Sequence, residues 1–230
     1  MITVQAIHYT SRSSAWRRLS EALGLQGTHL DRGWAEFDAG GVLAVHDVTA
    51  GDPKDGTTAA HLLVDEVAAT AAAAREAGAV VEDTPLVDLG PMVTVTYGSL
   101  VLTVSADARP AHGDPSVLPI FYLPDTTAPR DLLRALGLSA RVVADNDVWV
   151  DLAADGGGLI ALHQGEQRTE LAFEYVGDLD DLAVRVEAAG FDVVIVDEAY
   201  NRTLRIDAPG LPGLCVNGAQ HDLYGYHLAS

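Results

Sequence analysis

The order of hydrophobic and polar positions along the chain predicts strands and helices in a recurring sequence. Short apolar runs bounded by glycine, proline or charged residues indicate strands. Apolar residues at helical spacing after Ser13 indicate a helix that ends at Gly24, and an alanine-rich run indicates a second helix that ends at Gly78. In the first half of the chain, strands are expected at 4–9, 33–39, 42–47, 60–64, 80–81, 92–97 and 100–104.

The second half of the chain repeats this order. Its strands are expected at 118–123, 141–143, 148–152, 159–163, 170–175, 192–197, 203–206 and 214–216, and its helices at 129–136 and 179–189. Each half therefore reads as two units of a strand, a helix and further strands. Prolines and glycine between the halves indicate a linker at 109–116, which separates a domain at 1–108 from a domain at 117–230.

Four short motifs recur in the same order and indicate an internal duplication. The longest is a glycine pair followed by an apolar run that ends in histidine, at 40–46 and again at 157–163. The other pairs are 22–25 with 135–138, 34–37 with 149–152, and 76–78 with 188–190. The spacings differ by only a few residues, so we interpret the chain as a tandem repeat.

Composition limits the classes of function. Lys and Arg number 14 against 33 Asp and Glu, a formal net charge of −19, which disfavours nucleic acid as a partner. The same charge could attract a cationic ligand or simply keep the protein soluble. No apolar run is long enough for a membrane span and the N-terminus lacks a secretory pattern, so a cytoplasmic location is expected. Cys215 is the single cysteine, and its apolar neighbours predict a thiol in the core.

Paired units of this kind, in domains of this size, resemble the vicinal oxygen chelate superfamily, which includes glyoxalase I, bleomycin-resistance proteins and extradiol dioxygenases. The resemblance covers nearly the whole chain and rests on the order of elements and on the helix ends at 22–25 and 135–138. It implies an α+β fold of two tandem domains, each with paired βαβββ units that form a curved mixed sheet around a cup. It does not select an activity, because lyases, isomerases, dioxygenases and drug-binding proteins share this scaffold.

In metal-dependent members, the resemblance implies ligands on the first and last strands of both units in a domain, facing the cup. His8 and His61 match two of these positions. The third falls on Ala44, with His46 two residues further along the same strand face, and the fourth falls on Leu102, with Thr103 beside it. A divalent metal (Zn, Ni, Mn or Fe) would then depend on the three histidines as ligands. The alternative is that these histidines only line the cup.

The second domain departs further from the metal-binding pattern. Phe121 and Phe173 take the places of the first-domain histidines at 8 and 61, whereas His163 persists. Aromatic rings at these positions could stack a planar ligand or pack in the core. Glu36 and Asp151 follow the repeated tryptophans, and the sequence leaves open whether they face the cup or the solvent.

Two functions are therefore expected. The first is a binding protein, similar to bleomycin-resistance proteins, that sequesters a small cationic or aromatic compound, as a monomer or homodimer. Its candidate ligand contacts are Trp34, Glu36, His46, Phe121, Trp149, His163 and Phe173. The alternative is a metal-dependent lyase, isomerase or dioxygenase that uses His8, His46 and His61 in the N-terminal cup.

Overall fold

The computed structural model describes residues 1–31, 33–84, 90–220 and 222–229 of the chain. Over these residues the protein has four α-helices and two mixed β-sheets, which confirms the predicted α+β fold of two tandem βαβββ pairs. None of the helices in the described residues is long and apolar enough to cross a membrane.

The first sheet is built from the N-terminal half, with eight strands in the order β2-β3-β4-β1-β5-β8-β7-β6. Its elements are β1 (Ile2–Thr10), α1 (Ser13–Ala22), β2 (Gln26–Asp31), β3 (Trp34–Ala39), β4 (Gly41–Asp47), β5 (Thr58–Val64), α2 (Val67–Glu76), β6 (Val80–Asp83), β7 (Met92–Tyr97) and β8 (Leu100–Ser105). Strand β1 lies at the centre, parallel to β4 and antiparallel to β5. The sequence pattern missed β2 because every residue of this edge strand is exposed, so it has no apolar run.

The second sheet has nine strands in the order β14-β15-β16-β13-β9-β12-β11-β10-β17. Its elements are β9 (Ser116–Leu123), α3 (Thr127–Ala135), β10 (Ser139–Ala144), β11 (Trp149–Ala153), β12 (Leu159–Gln164), β13 (Arg168–Tyr175), α4 (Leu179–Ala188), β14 (Val193–Asp197), β15 (Arg202–Ala208), β16 (Leu211–Gly218) and β17 (Tyr226–Leu228). Strand β17 was not expected, since the tail shows no clear period. It pairs with β10 and extends the sheet at that edge.

Alternation along the strands gives each sheet two different faces. On β1, Gln5, Ile7 and Tyr9 line a cavity, which we call the N-terminal cup. Val4 and Ala6, on the opposite face of β1, join a buried cluster with the helices. This cluster contains residues of both halves of the chain, so the faces opposite the cups and the helices share one continuous core.

The two repeated glycine turns meet at the junction between the halves. The N–H of Val4 donates to the carbonyl of Gly157 at 2.9 Å, and the N–H of Val117 donates to the carbonyl of Gly40 at 2.8 Å. These bonds are reciprocal, because each first strand binds the glycine turn of the other half. A Cβ on Gly41 would lie 2.8 Å from the Cα of Gly158, so the approach requires glycine.

Replacing Gly41 with alanine should lower the free energy of unfolding by about 3 kcal/mol, since a left-handed residue and a crowded contact are both costly. Its φ is +81°, and an added Cβ would lie 2.6 Å from Val117 Cγ2 and 2.7 Å from the carbonyl oxygen of Val4. Gly51→Ala is the matched control, because Gly51 has a φ of +85° and nothing within 4 Å of the added Cβ. The control should lose about 1 kcal/mol. Equal losses in urea denaturation would contradict a tight junction.

Candidate functional site: two cups with a repeated aromatic wall

The N-terminal cup is a cavity of about 870 Å³ on one face of the first sheet. Residues of β1, β2, β3, β4, β5, β7 and β8 line it, together with residues of the segment that follows β8. Its volume lies in the range typical of pockets for small organic molecules. The cup is therefore large enough to hold a ligand of that kind.

An aromatic wall forms one side of the N-terminal cup. The ring centroid of His46 lies 5.1 Å from that of Tyr9 and 5.4 Å from that of Trp34, with the tryptophan in an edge-on arrangement. The three residues come from neighbouring strands, and the register pairs His46 with both Tyr9 and Trp34. The structure therefore places the predicted contacts Trp34 and His46 in the cup and adds Tyr9.

A carboxylate held by three donors lies beside this wall. Glu36 Oε1 accepts from Gln5 Nε2 and from Trp34 Nε1, both at 3.1 Å. Its Oε2 accepts from the guanidinium of Arg109 at 2.6 Å. Glu36 thus faces the cup and is neutralised by a cation that belongs to the segment between the two sheets.

His61 also faces the N-terminal cup but is almost fully buried. Its Nδ1 lies 2.6 Å from Thr103 Oγ1 and its Nε2 lies 2.8 Å from Ser105 Oγ, so both ring nitrogens are hydrogen-bonded to hydroxyls. Burial lowers the pKa of His61 to about 4. The imidazole is consequently neutral at pH 7, with one nitrogen as donor and the other as acceptor.

His8 does not face the cup, so its expected role as a metal ligand there is wrong. Its ring lies on the helix side of β1, 4.1 Å from the ring of Trp16, with Nδ1 3.1 Å from Thr58 Oγ1. His8 Nε2 is buried and has no hydrogen-bond partner among the described residues. The β1 residue that pairs with His61 is Gln5, three positions earlier and on the opposite face.

The second sheet carries a smaller cavity of about 420 Å³, the C-terminal cup, and the aromatic wall is repeated there. The ring of His163 lies 5.1 Å from that of Tyr122 and 5.8 Å from that of Trp149. The predicted contacts Trp149 and His163 therefore lie in a cup, on the strands equivalent to those of Trp34 and His46. The same three residue types thus occupy equivalent positions in both halves of the chain.

Three side chains of the second domain lie on the opposite face of the sheet from the one that we expected. Phe121 and Phe173 are fully buried in the core shared with the helices and do not line the cup, because each falls on the helix side of its strand. Cys215 lines the cup instead of the core. Burial raises the pKa of its thiol, so it stays protonated at pH 7.

A second, partly buried group of ion pairs lies at the C-terminal cup. The guanidinium of Arg141 bonds to both carboxylate oxygens of Asp151, at 3.1 and 2.9 Å, and to both of Glu174, at 2.9 and 2.7 Å. Burial acts to lower the pKa of Arg141, but its hydrogen bonds with Glu174 and Asp151 outweigh burial and raise it. Asp151 therefore faces the cup, as Glu36 does, and is held by an arginine of its own domain.

The side chains do not fit the divalent metal that the resemblance implies. Each sheet has four central strands. On these strands the N-terminal cup has Gln5, Ala44, His61 and Thr103, and the C-terminal cup has Leu118, Ala161, Ala172 and Cys215 at the equivalent positions. Across the described residues, no three His, Cys, Asp or Glu side chains converge as metal ligands. The nearest carboxylate, Glu36, is bound by Arg109, and both nitrogens of His61 are bound by hydroxyls. A catalytic site normally needs three protein ligands and an open position.

No protein-family model matches the chain, and no curated protein matches it. Solved structures match it over almost its whole length. These structures show that the chain has the same tandem fold as they do. A catechol 2,3-dioxygenase has a TM-score of 0.61 at 15% identity, covering 96% of this chain and 94% of that one. The 2,3-dioxygenase LapB from Pseudomonas sp. KL28 has a TM-score of 0.62 at 14% identity, covering 95% and 91%.

A halotolerant catechol dioxygenase, BphC, is similar to the same extent, with a TM-score of 0.58 at 14% identity over 97% of this chain and 88% of that one. At such identities, these likenesses establish the tandem fold that the sequence predicted. All three of these neighbours are dioxygenases by name.

Several residues of the cups were missed by the sequence. Tyr9 and Tyr122 recur at a spacing of 113 residues, so the duplication itself could have revealed them. Arg109 and Arg141 carried no such signal, because they do not occupy equivalent positions in the two halves. Each of these arginines pairs with carboxylates on other strands, and only the fold brings the two partners together.

Lowering the pH should destabilise the protein through His8. Its folded pKa is about 4 against an ordinary 6.5, so between these values the unfolded chain binds a proton that the folded chain excludes. The contribution is complete above pH 6.5 and is lost as the pH falls toward 4, an effect of about 3 kcal/mol. We expect His8→Phe, which copies Phe121 at the equivalent position, to lose less stability over this range.

The measurement is urea denaturation at a series of pH values. His112→Gln is the control, since His112 is exposed and should leave the pH dependence of the wild-type protein unchanged. If His8→Phe keeps the same pH dependence as the wild-type protein, then the buried imidazole does not have the lowered pKa.

Proposed function

We propose that the chain binds a planar organic molecule in its N-terminal cup and does so without a resident metal. The observation that carries this proposal is the wall of Tyr9, Trp34 and His46, which faces the larger cavity and recurs in the other half of the chain. Aromatic rings on one side of a pocket favour flat, conjugated ligands through stacking and burial of apolar area.

The polar groups of the cup supply orientation. Gln5, Glu36 and Arg109 form a hydrogen-bonded group at one side of the wall. His61 and its two hydroxyl partners offer further donors and acceptors without a net charge. A ligand with hydroxyl or carbonyl substituents on a ring could stack on the wall and exchange hydrogen bonds with these groups.

A second candidate function is a metal-dependent dioxygenase, and the dioxygenase neighbours of the same fold favour it. A ligand set for it would have to be assembled from His61 with Gln5 and Glu36. This would require Glu36 to leave Arg109 and a hydroxyl to leave His61. The existing contacts of these side chains therefore support the binding function more than this one.

Binding is tested with 2,3-dihydroxynaphthalene, a planar catechol that suits both candidates. We expect protein treated with a chelator to bind it with unchanged affinity in isothermal titration calorimetry. Trp34→Leu should weaken binding about tenfold, because a loss of about 1.4 kcal/mol of stacking and burial corresponds to that factor. Trp149→Leu, the same change in the other cup, should leave this site intact. Equal losses in the two variants would contradict an assignment to the N-terminal cup.

The second candidate is tested by elemental analysis and oxygen consumption. We expect no stoichiometric metal after incubation with Fe(II) or Mn(II), and no oxygen uptake with 2,3-dihydroxynaphthalene. About one metal ion per chain, lost in His61→Ala together with oxygen uptake, would replace the binding function with the dioxygenase.

A further inference from the structure

The C-terminal cup differs from the N-terminal cup in how it is enclosed. Tyr226, on the tail strand β17, lines this cup together with Tyr200, and both add to the repeated wall of Tyr122, Trp149 and His163. The tail thus supplies an aromatic ring that has no counterpart among the described residues of the first half. Five aromatic or imidazole side chains therefore line a cavity of about 420 Å³.

Carboxylates exceed cations around this cavity. Four carboxylates line the C-terminal cup: Asp151, Glu170, Glu174 and Glu198. Arg141 pairs with both Asp151 and Glu174. Glu170 pairs with Arg168 at 2.6 Å, and Glu198 pairs with Arg205 at 2.9 Å. Three guanidiniums against four carboxylates leave one negative charge. The thiol of Cys215 and the phenol of Tyr122 do not alter this balance, because burial raises the pKa of both groups.

The wall already holds a flat cation of the chain itself. The guanidinium carbon of Arg168 lies 3.4 Å from the centroid of the Tyr122 ring, which is a close cation–π contact. The same guanidinium donates from Nε to the carboxylate of Glu170 at 2.6 Å. The combination of an aromatic face and a carboxylate is the arrangement that stabilises a positively charged nitrogen.

We propose that the C-terminal cup is a second ligand site, and that it takes an organic cation with a planar body. The aromatic residues stack on the body of the ligand, and the net negative charge of the four carboxylates and three guanidiniums around the cavity balances its positive nitrogen. This inference does not rest on the function proposed for the N-terminal cup, because it concerns a different cavity and a different class of ligand.

The test compares N-methylquinolinium with quinoline, an uncharged analogue of nearly the same shape at neutral pH. In calorimetry with the full chain, we expect one site for N-methylquinolinium and an affinity about tenfold higher than for quinoline. Glu170→Gln should weaken binding of the cation about tenfold and leave quinoline unchanged. Trp149→Leu should weaken both probes, because it removes part of the wall.

Two further variants test whether the cation binds in the C-terminal cup. Glu82→Gln removes one exposed carboxylate from the other sheet, so it controls for the general negative charge of the protein and should change neither affinity. Trp34→Leu should leave N-methylquinolinium binding intact even though it weakens binding of 2,3-dihydroxynaphthalene. Equal affinity for the two probes, an effect of Glu170→Gln no larger than that of Glu82→Gln, or loss of cation binding in Trp34→Leu would overturn the proposal.

Discussion

The contact between the two glycine turns is the constraint on which the arrangement of the cups depends. Gly41 and Gly158 approach so closely that neither position has room for a side chain. The linker residue Ala111 lies between the turns, since its carbonyl accepts from the N–H of Gly41 and its N–H donates to the carbonyl of Gly156. Anchoring of this residue places Arg109, two positions earlier, beside Glu36 in the N-terminal cup. The turn therefore helps to hold a cation of the linker at the N-terminal cup.

The duplication made most of the fold predictable, but the orientation of single strands could not be obtained in the same way. In strand β1, Ile2, Val4 and Ala6 alternate with polar residues, and this pattern places His8 on the same face as these apolar side chains. The choice of His8 as a cup residue followed the resemblance and not this alternation. Pairing with β5 agrees with the alternation, because it brings Gln5 opposite His61. Strand β9 has a nearly continuous apolar run without alternation, so Phe121 could not be assigned to one face from the sequence.

Each cup contains a carboxylate that is neutralised from within the protein. Glu36 and Asp151 occupy equivalent strand positions, yet Arg109 comes from the linker and Arg141 from strand β10. An ion pair at such a position satisfies the buried carboxylate and also removes it as a ligand for an added metal, since breaking the pair leaves a buried charge without its partner. Sharing a fold with dioxygenases therefore does not imply that this chain can carry out their chemistry.

The two cups share one feature and differ in the rest, and this difference bears on what each cup recognises. Tyrosine, tryptophan and histidine recur at equivalent positions in both walls, so the capacity to stack a flat ring is common to both. The central positions differ: the N-terminal cup has Gln5, His61 and Thr103 where the C-terminal cup has Leu118, Ala172 and Cys215. Hydrogen-bonding groups at the first set and apolar groups at the second would select ligands with different substituents. Because stacking alone discriminates poorly between planar molecules, the divergent central positions are what would make the two cups specific for different compounds.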